Sequence, residues 1–79
     1  MSKKLYDLIS DVLGIPNSKI NDNSGPENTD RWDSFKGLLL VYELEQYFNV
    51  KFTLDEIYDL KTVLDIKKYL KNYGVNLED

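Results

Sequence analysis

Leu5, Leu8, Ile9, Val12 and Leu13 recur at spacings of three, one, three and one, which lines them up on one stripe of an amphipathic helix. Gly14 breaks that pattern and Pro16 follows two residues later, the usual signals of a helix end, so a first helix is predicted over about residues 3–13. Residues 17–31 are a different material. Asn, Asp, Ser, Gly, Pro, Glu and Thr dominate there, and Ile20 is the only aliphatic side chain. This reads as a long loop, of a length that in so small a domain is usually functional or partly disordered. Its acids invite comparison with a calcium-binding loop, but placing Gly25 at the sixth position puts Ile20 at the first and Arg31 at the twelfth, where ligands are required. Calcium binding of that type is excluded.

Asp33 and Ser34 are both good N-cap types, and residues 35–48 contain no Pro and a single Gly, which predicts a second helix over 34–48. At about 100° per residue, Gly37, Val41, Leu44 and Phe48 share one side, flanked by Leu38 and Leu40, and that side is expected to face the core. Phe35, Leu39 and Tyr42 gather on a different side with Gln46, an apolar strip that the core does not need. Residues 49–52 form a short extended connector. Thr53 with Glu56 three residues later is a capping box for a brief third helix, 54–60, carrying Leu54, Ile57, Tyr58 and Leu60. Thr62 caps a fourth helix, 62–73, with Val63, Ile66, Tyr69 and Leu70 on its apolar side; Gly74 ends it, and Glu78 and Asp79 read as a frayed tail. The expected fold is all-α: one domain over residues 1–79, four helices, a long first loop and a short third helix, without internal repeats.

Composition narrows the function. Seventy-nine residues hold one domain with a thin core, and 42% hydrophobic residues suffice for a compact fold. The net charge of −4 argues against a partner held by many phosphate contacts, so nucleic acid is not an expected ligand. The absence of Cys and His removes disulfides, zinc sites of the Cys/His type, thiolate nucleophiles and any Ser-His-Asp relay, and it leaves a catalytic serine without a base near neutral pH. Asp7 and Asp11 interrupt the stretch where a signal peptide would need an apolar run. The longest apolar run, residues 38–42, falls far short of the ~20 residues that span a bilayer. A cytoplasmic monomer without membrane insertion is expected. Acids concentrate in residues 31–60, which hold six against three basic groups, whereas Lys61, Lys67, Lys68 and Lys71 read as a solvated face.

The run Trp32-Asp33-Ser34-Phe35 lies where the polar loop meets the central helix. Ser34 could be no more than a cap, but a helix N-terminus also offers free N–H groups and the positive end of the macrodipole to a phosphate esterified there. Trp32 is expected to pin the loop to the core. Asp33-Ser34-Phe35, followed by Leu38, Leu40-Val41, Leu44-Glu45 and Phe48, and later by Thr62-Val63, Asp65-Ile66 and Tyr69-Leu70, resembles the acyl carrier protein family over about residues 3–73. The resemblance implies a four-helix bundle of the acyl carrier protein type. It further implies a 4'-phosphopantetheine arm transferred from coenzyme A to Ser34 by a separate phosphopantetheinyl transferase that recognises Asp33. The arm's thiol would hold acyl groups as thioesters for acyl-loading and acyl-accepting enzymes, so the chain would be a substrate of enzymes and not an enzyme itself.

The departures from the family pattern are equally informative. Lys36 and Leu39 stand where fatty-acid carriers have acids, Phe35 replaces the usual leucine, and Tyr42 occupies a common methionine position. Docking is therefore expected through Phe35, Leu39 and Tyr42, with Glu43 and Glu45 at an acidic rim. The pathway is expected to be a specialised one, polyketide-like, aminoacyl or glycan-modifying, in place of standard fatty acid biosynthesis. An aminoacyl or peptidyl carrier, including the D-alanyl type, is the alternative within the class; an unmodified helical adaptor binding through Phe35, Leu39 and Tyr42 is the alternative outside it. If cargo is sheltered between helices, Leu38, Val41, Ile57, Leu60 and Val63 are the expected walls.

Overall fold

The apolar stripes of the first, second and fourth segments can leave water only by facing one another, and this sets the architecture. In a computed structural model, which describes residues 3–77, α1 spans Lys3–Leu13, α2 Ser34–Phe48, α3 Leu54–Asp59 and α4 Val63–Asn72, with a single turn of 3-10 helix at Asn17–Lys19 and no strand among the described residues. The all-α reading holds, and the predicted boundaries hold to within a residue. Leu60 and Thr62 fall outside their helices as C-cap and N-cap. The expected frayed tail, Glu78 and Asp79, lies outside the described residues.

The core joins Leu5, Ile9 and Leu13 of α1, Leu40, Val41 and Leu44 of α2, and Val63, Ile66 and Leu70 of α4. Each fully buried aliphatic side chain contributes about 1.5–3 kcal/mol. Ile20 and Trp32 from the long loop and Phe52 from the connector complete it, so Trp32 pins the loop as expected. One expectation for α2 fails: Leu38, placed at the core's flank, is 61% exposed. The buried stripe centres on Leu40 and Leu44, which turns Leu38 outward, and α3 is too short to cover it. Leu54 and Tyr58 of α3 are exposed for the same reason, while Ile57 and Leu60 are half-buried against the core.

The long loop is wired to the bundle. The amides of Val63 and Leu64 at the start of α4 donate to the carbonyls of Ser24 (2.9 Å) and Asp22 (3.0 Å). Ser24, itself buried, accepts the Asn21 amide at its hydroxyl, and the Gly25 amide donates to the side chains of Asn28 and Thr29. Gly25 runs so close to α4's approach that a Cβ there would stand 2.0 Å from the Lys61 carbonyl oxygen. The carboxylate of Asp22 accepts the Tyr6 hydroxyl (2.5 Å) and pairs with Lys67 (2.6 Å), whose ammonium also reaches the Tyr6 oxygen (2.9 Å). Lys67 thus leaves the expected solvated face and ties the loop to both α1 and α4. The bond from Lys67, then that from Tyr6, holds the Asp22 carboxyl below its ordinary value. Burial pulls the Lys67 ammonium down, but its bonds to Asp22 and Tyr6 outweigh that and leave it above its ordinary value.

Gly25→Ala is expected to cost about 1–3 kcal/mol, since backbone faces the new methyl group and one strand of chain must shift; urea unfolding monitored by circular dichroism reads the loss. Asp22→Asn should cost about 0.5–1 kcal/mol, the range of a partly exposed pair. Because folding lowers the Asp22 pKa from 3.8, its contribution is complete above that value and fades as pH falls through the lowered one. The stability difference between wild type and Asp22→Asn should therefore shrink below about pH 4, and a difference unchanged down to pH 2 would contradict this assignment.

Candidate functional site

Asp33 sits in extended backbone immediately before α2, and its side chain accepts the Lys36 amide at 2.9 Å. Of the two cap types in the sequence, Asp33 therefore does the capping and Ser34 becomes the first helical residue. Its hydroxyl is not consumed by the helix it begins, and Ser34 is exposed. The amides of the first turn that Asp33 does not reach point out of the same end, where the macrodipole is positive. Behind this turn the buried Trp32 ring lies against Gly37, and its Nε1 is 3.6 Å from the position a Cβ on Gly37 would take. The rigid loop, the buried indole and the cap fix the helix end from three directions.

Beside Ser34 opens a cleft of about 380 Å³ between α2 and α3, with the exposed Asp33 and Ser34 among its lining residues. Its apolar walls come from Trp32, Leu38, Val41 and Leu44 on one side and from Leu54, Ile57, Tyr58 and Leu60 on the other, with Ile66 of α4 among the lining residues. Leu38, Val41, Ile57 and Leu60 are among the walls expected from the sequence. Val63 is not: it is fully buried in the core beneath. Phe35, Leu39 and Tyr42 are exposed along α2, as their helical phase requires, and Phe35 beside the serine is 70% exposed. Leu54 and Tyr58 extend this apolar surface onto α3, at 72% and 79% exposure. The sequence carries both residues, but only the brevity of α3 exposes them.

The charged residues around this surface sort into two groups. Lys36 turns away from it: its ammonium reaches the Val12 carbonyl in the last turn of α1 at 3.3 Å, where the negative end of that helix favours a cation. Glu45 is committed to the fold, accepting the Phe52 amide at 2.8 Å, which leaves half-buried Glu43 as the acid of α2 with no such bond. On α3 the capping box of Thr53 and Glu56 forms in both directions. The Tyr73 hydroxyl also donates to Glu56, and this bond, followed by the Thr53 amide, holds its carboxyl below the ordinary value. Tyr69 donates to Asp59 at 3.0 Å, which raises the phenol above its ordinary value. Among the described residues no group of acids is placed to hold a metal ion, and no helix is long and apolar enough to cross a membrane.

The family model described as phosphopantetheine attachment site matches residues 3–70. A protein named acyl carrier protein, from Acidothermus cellulolyticus, is 32% identical over 72 residues, a stretch covering 91% of this chain and 86% of that protein. The family match runs from α1 to the end of α4's buried stripe and so takes in the helix end, the cleft and the core that supports them. The chain belongs to the acyl carrier protein family and carries the 4'-phosphopantetheine prosthetic group of that family.

Proposed function

We propose that Ser34 is the attachment residue and that the chain carries acyl groups between partner enzymes without catalysing a reaction itself. The observation that carries this reading is the position of Ser34: exposed, released from capping by Asp33, and lining the apolar cleft. A phosphopantetheinyl transferase acting on coenzyme A would form the bond from Ser34 Oγ to the phosphorus that bears pantetheine, break the pyrophosphate and release the adenosine bisphosphate. The residues present suit the group. The first-turn amides and the dipole of α2 favour the phosphodiester by about 0.3–1 kcal/mol, and Asp33 fixes their direction. When bound, the arm supplies a terminal thiol for thioester chemistry, the sulfur that this Cys-free chain lacks.

The cleft favours an acyl cargo over an aminoacyl one. Its walls beyond Asp33 and Ser34 are apolar and offer no carboxylate to an ammonium group, so an aliphatic chain gains by entering whereas an amino group would lose its water. Partners would dock on Phe35, Leu39 and Tyr42, with Glu43 at the rim; Glu45, occupied by the Phe52 amide, is assigned to the fold instead. The absence of free acids where fatty-acid carriers have them, with Lys36 folded back onto α1, supports service in a specialised pathway. A monomer working in the cytoplasm fits the acidic, Cys-free composition.

Incubation with coenzyme A and a broad-specificity phosphopantetheinyl transferase should add one phosphopantetheine to the wild type and none to Ser34→Ala, read by intact mass. An adaptor would bind its partner equally well in both forms, and a modified Ser34→Ala protein would disprove the assigned site. For docking, Phe35→Ala and Tyr42→Ala should each weaken productive transfer about tenfold, the effect of losing a buried aromatic contact worth about 1.4 kcal/mol or more. Raising salt from low to physiological strength should change transfer little, because apolar burial is not screened. A steep salt dependence would point to ion pairs as the main contact.

A further inference from the structure

Helix α3 buries no side chain fully, yet it forms one wall of the cleft. At about 100° per residue its two faces separate cleanly. Leu54, Ile57 and Tyr58 look into the cleft, while Glu56 and Asp59 lie on the opposite side. That opposite side is where α4 and its C-cap residue take hold: the hydroxyl of the C-cap Tyr73 donates to Glu56 and that of Tyr69 in α4 to Asp59. Both phenol rings are anchored in turn, meeting the buried Phe52 ring edge-on at 5.8 Å and 6.4 Å between centroids. Phe52 is held to α2 through its amide on Glu45. A continuous series of contacts thus runs from α2 through the connector and α4 to the outer face of α3.

We propose that Tyr69 and Tyr73 act as positioning residues that set the distance of α3 from α2, and through it the length of acyl chain the cleft can shelter. This rests on the reading that cargo enters the cleft beside Ser34. The six-residue helix has little else to fix it: its N-terminal capping box orders the first turn, and Ile57 and Leu60 supply half-buried contacts, but neither holds the outer face. With the two hydroxyls in place the cleft keeps its volume of about 380 Å³. At roughly 30 Å³ for each water-sized group this accommodates on the order of ten methylene-sized units. A longer chain must either push α3 outward against the two bonds or leave its end in solvent.

Holo protein loaded with straight saturated chains of increasing length tests this, with cleavage of the thioester by hydroxylamine as the readout. In the wild type, protection should rise with length and level off on the order of ten carbons. In the Tyr69→Phe/Tyr73→Phe double variant the rings remain against Phe52 and only the hydroxyls are lost. The levelling-off should move to longer chains, and short chains should be cleaved about fivefold faster, the factor for losing about one hydrogen bond's worth of restraint. Asp59→Asn keeps an acceptor for Tyr69 and should retain the wild-type profile, whereas Asp59→Ala should shift it in the same direction as the double variant. Helix content by circular dichroism should be the same in all four proteins, so a shift in the profile reports α3 and not unfolding. Identical profiles in the wild type and the double variant would overturn the role of the tyrosines while leaving the sheltered cargo intact. A wild type whose cleavage rate ignores chain length would overturn the sheltered cargo itself and this inference with it.

Discussion

Two amides at the start of α4 have no partners in their own helix, and they find them in a loop from the other half of the chain. The bonds from Val63 to Ser24 and from Leu64 to Asp22 join the least regular part of the molecule to one of its most buried helices. Much else depends on this. A loop free to wander could not deliver Trp32 to the core or hold Asp33 in the extended conformation that capping requires. The Asp22, Tyr6 and Lys67 cluster adds a polar clasp at the same place, between α1 and α4. Order at the end of α2 is thus built from contacts on the far side of the loop.

The division of labour between Asp33 and Ser34 follows from that order. Either side chain could have capped α2, and a capping serine would have turned its oxygen inward to the helix amides. With the carboxylate doing so, the hydroxyl is left outside, next to an apolar cleft that a small bundle with a very short third helix cannot close. Economy of size explains the cleft as well. A six-residue α3 cannot fill the space between α2 and α4, so Leu38, Leu54 and Tyr58 remain uncovered and the interior reaches the surface beside the serine.

The helices were legible because their signals are local. The stripe from Leu5 to Leu13, the capping box at Thr53 and Glu56, and the cap at Thr62 each act within a few residues. The placement of the candidate residues was legible for a related reason: Asp33 and Ser34 adjoin a helix start, and the phase of Phe35, Leu39 and Tyr42 alone turns them outward. What escaped was set by distant partners. Lys67 looked like one of four solvated lysines until Asp22 and Tyr6 came beside it, and Glu45 looked like a surface acid until the connector brought it the Phe52 amide. Lys36 reads as a charge reversal on the exposed face of α2, but the end of α1 draws it away. Leu38 escaped because the centre of a buried stripe depends on which helices cover it, and helical phase alone does not say.

The close pass of Gly25 beneath the Lys61 carbonyl bears on how such a chain can diversify. Surface loops are ordinarily where length changes accumulate and where new binding surfaces are tried out. Here the loop is threaded through a gap with no room for a methyl group and is bonded on both sides of it, so added residues near Gly25 would uncouple two helices. Side chains on the exposed faces of α2 and α3 carry no such constraint, so exchanging them alters the surface while the interlock stays intact.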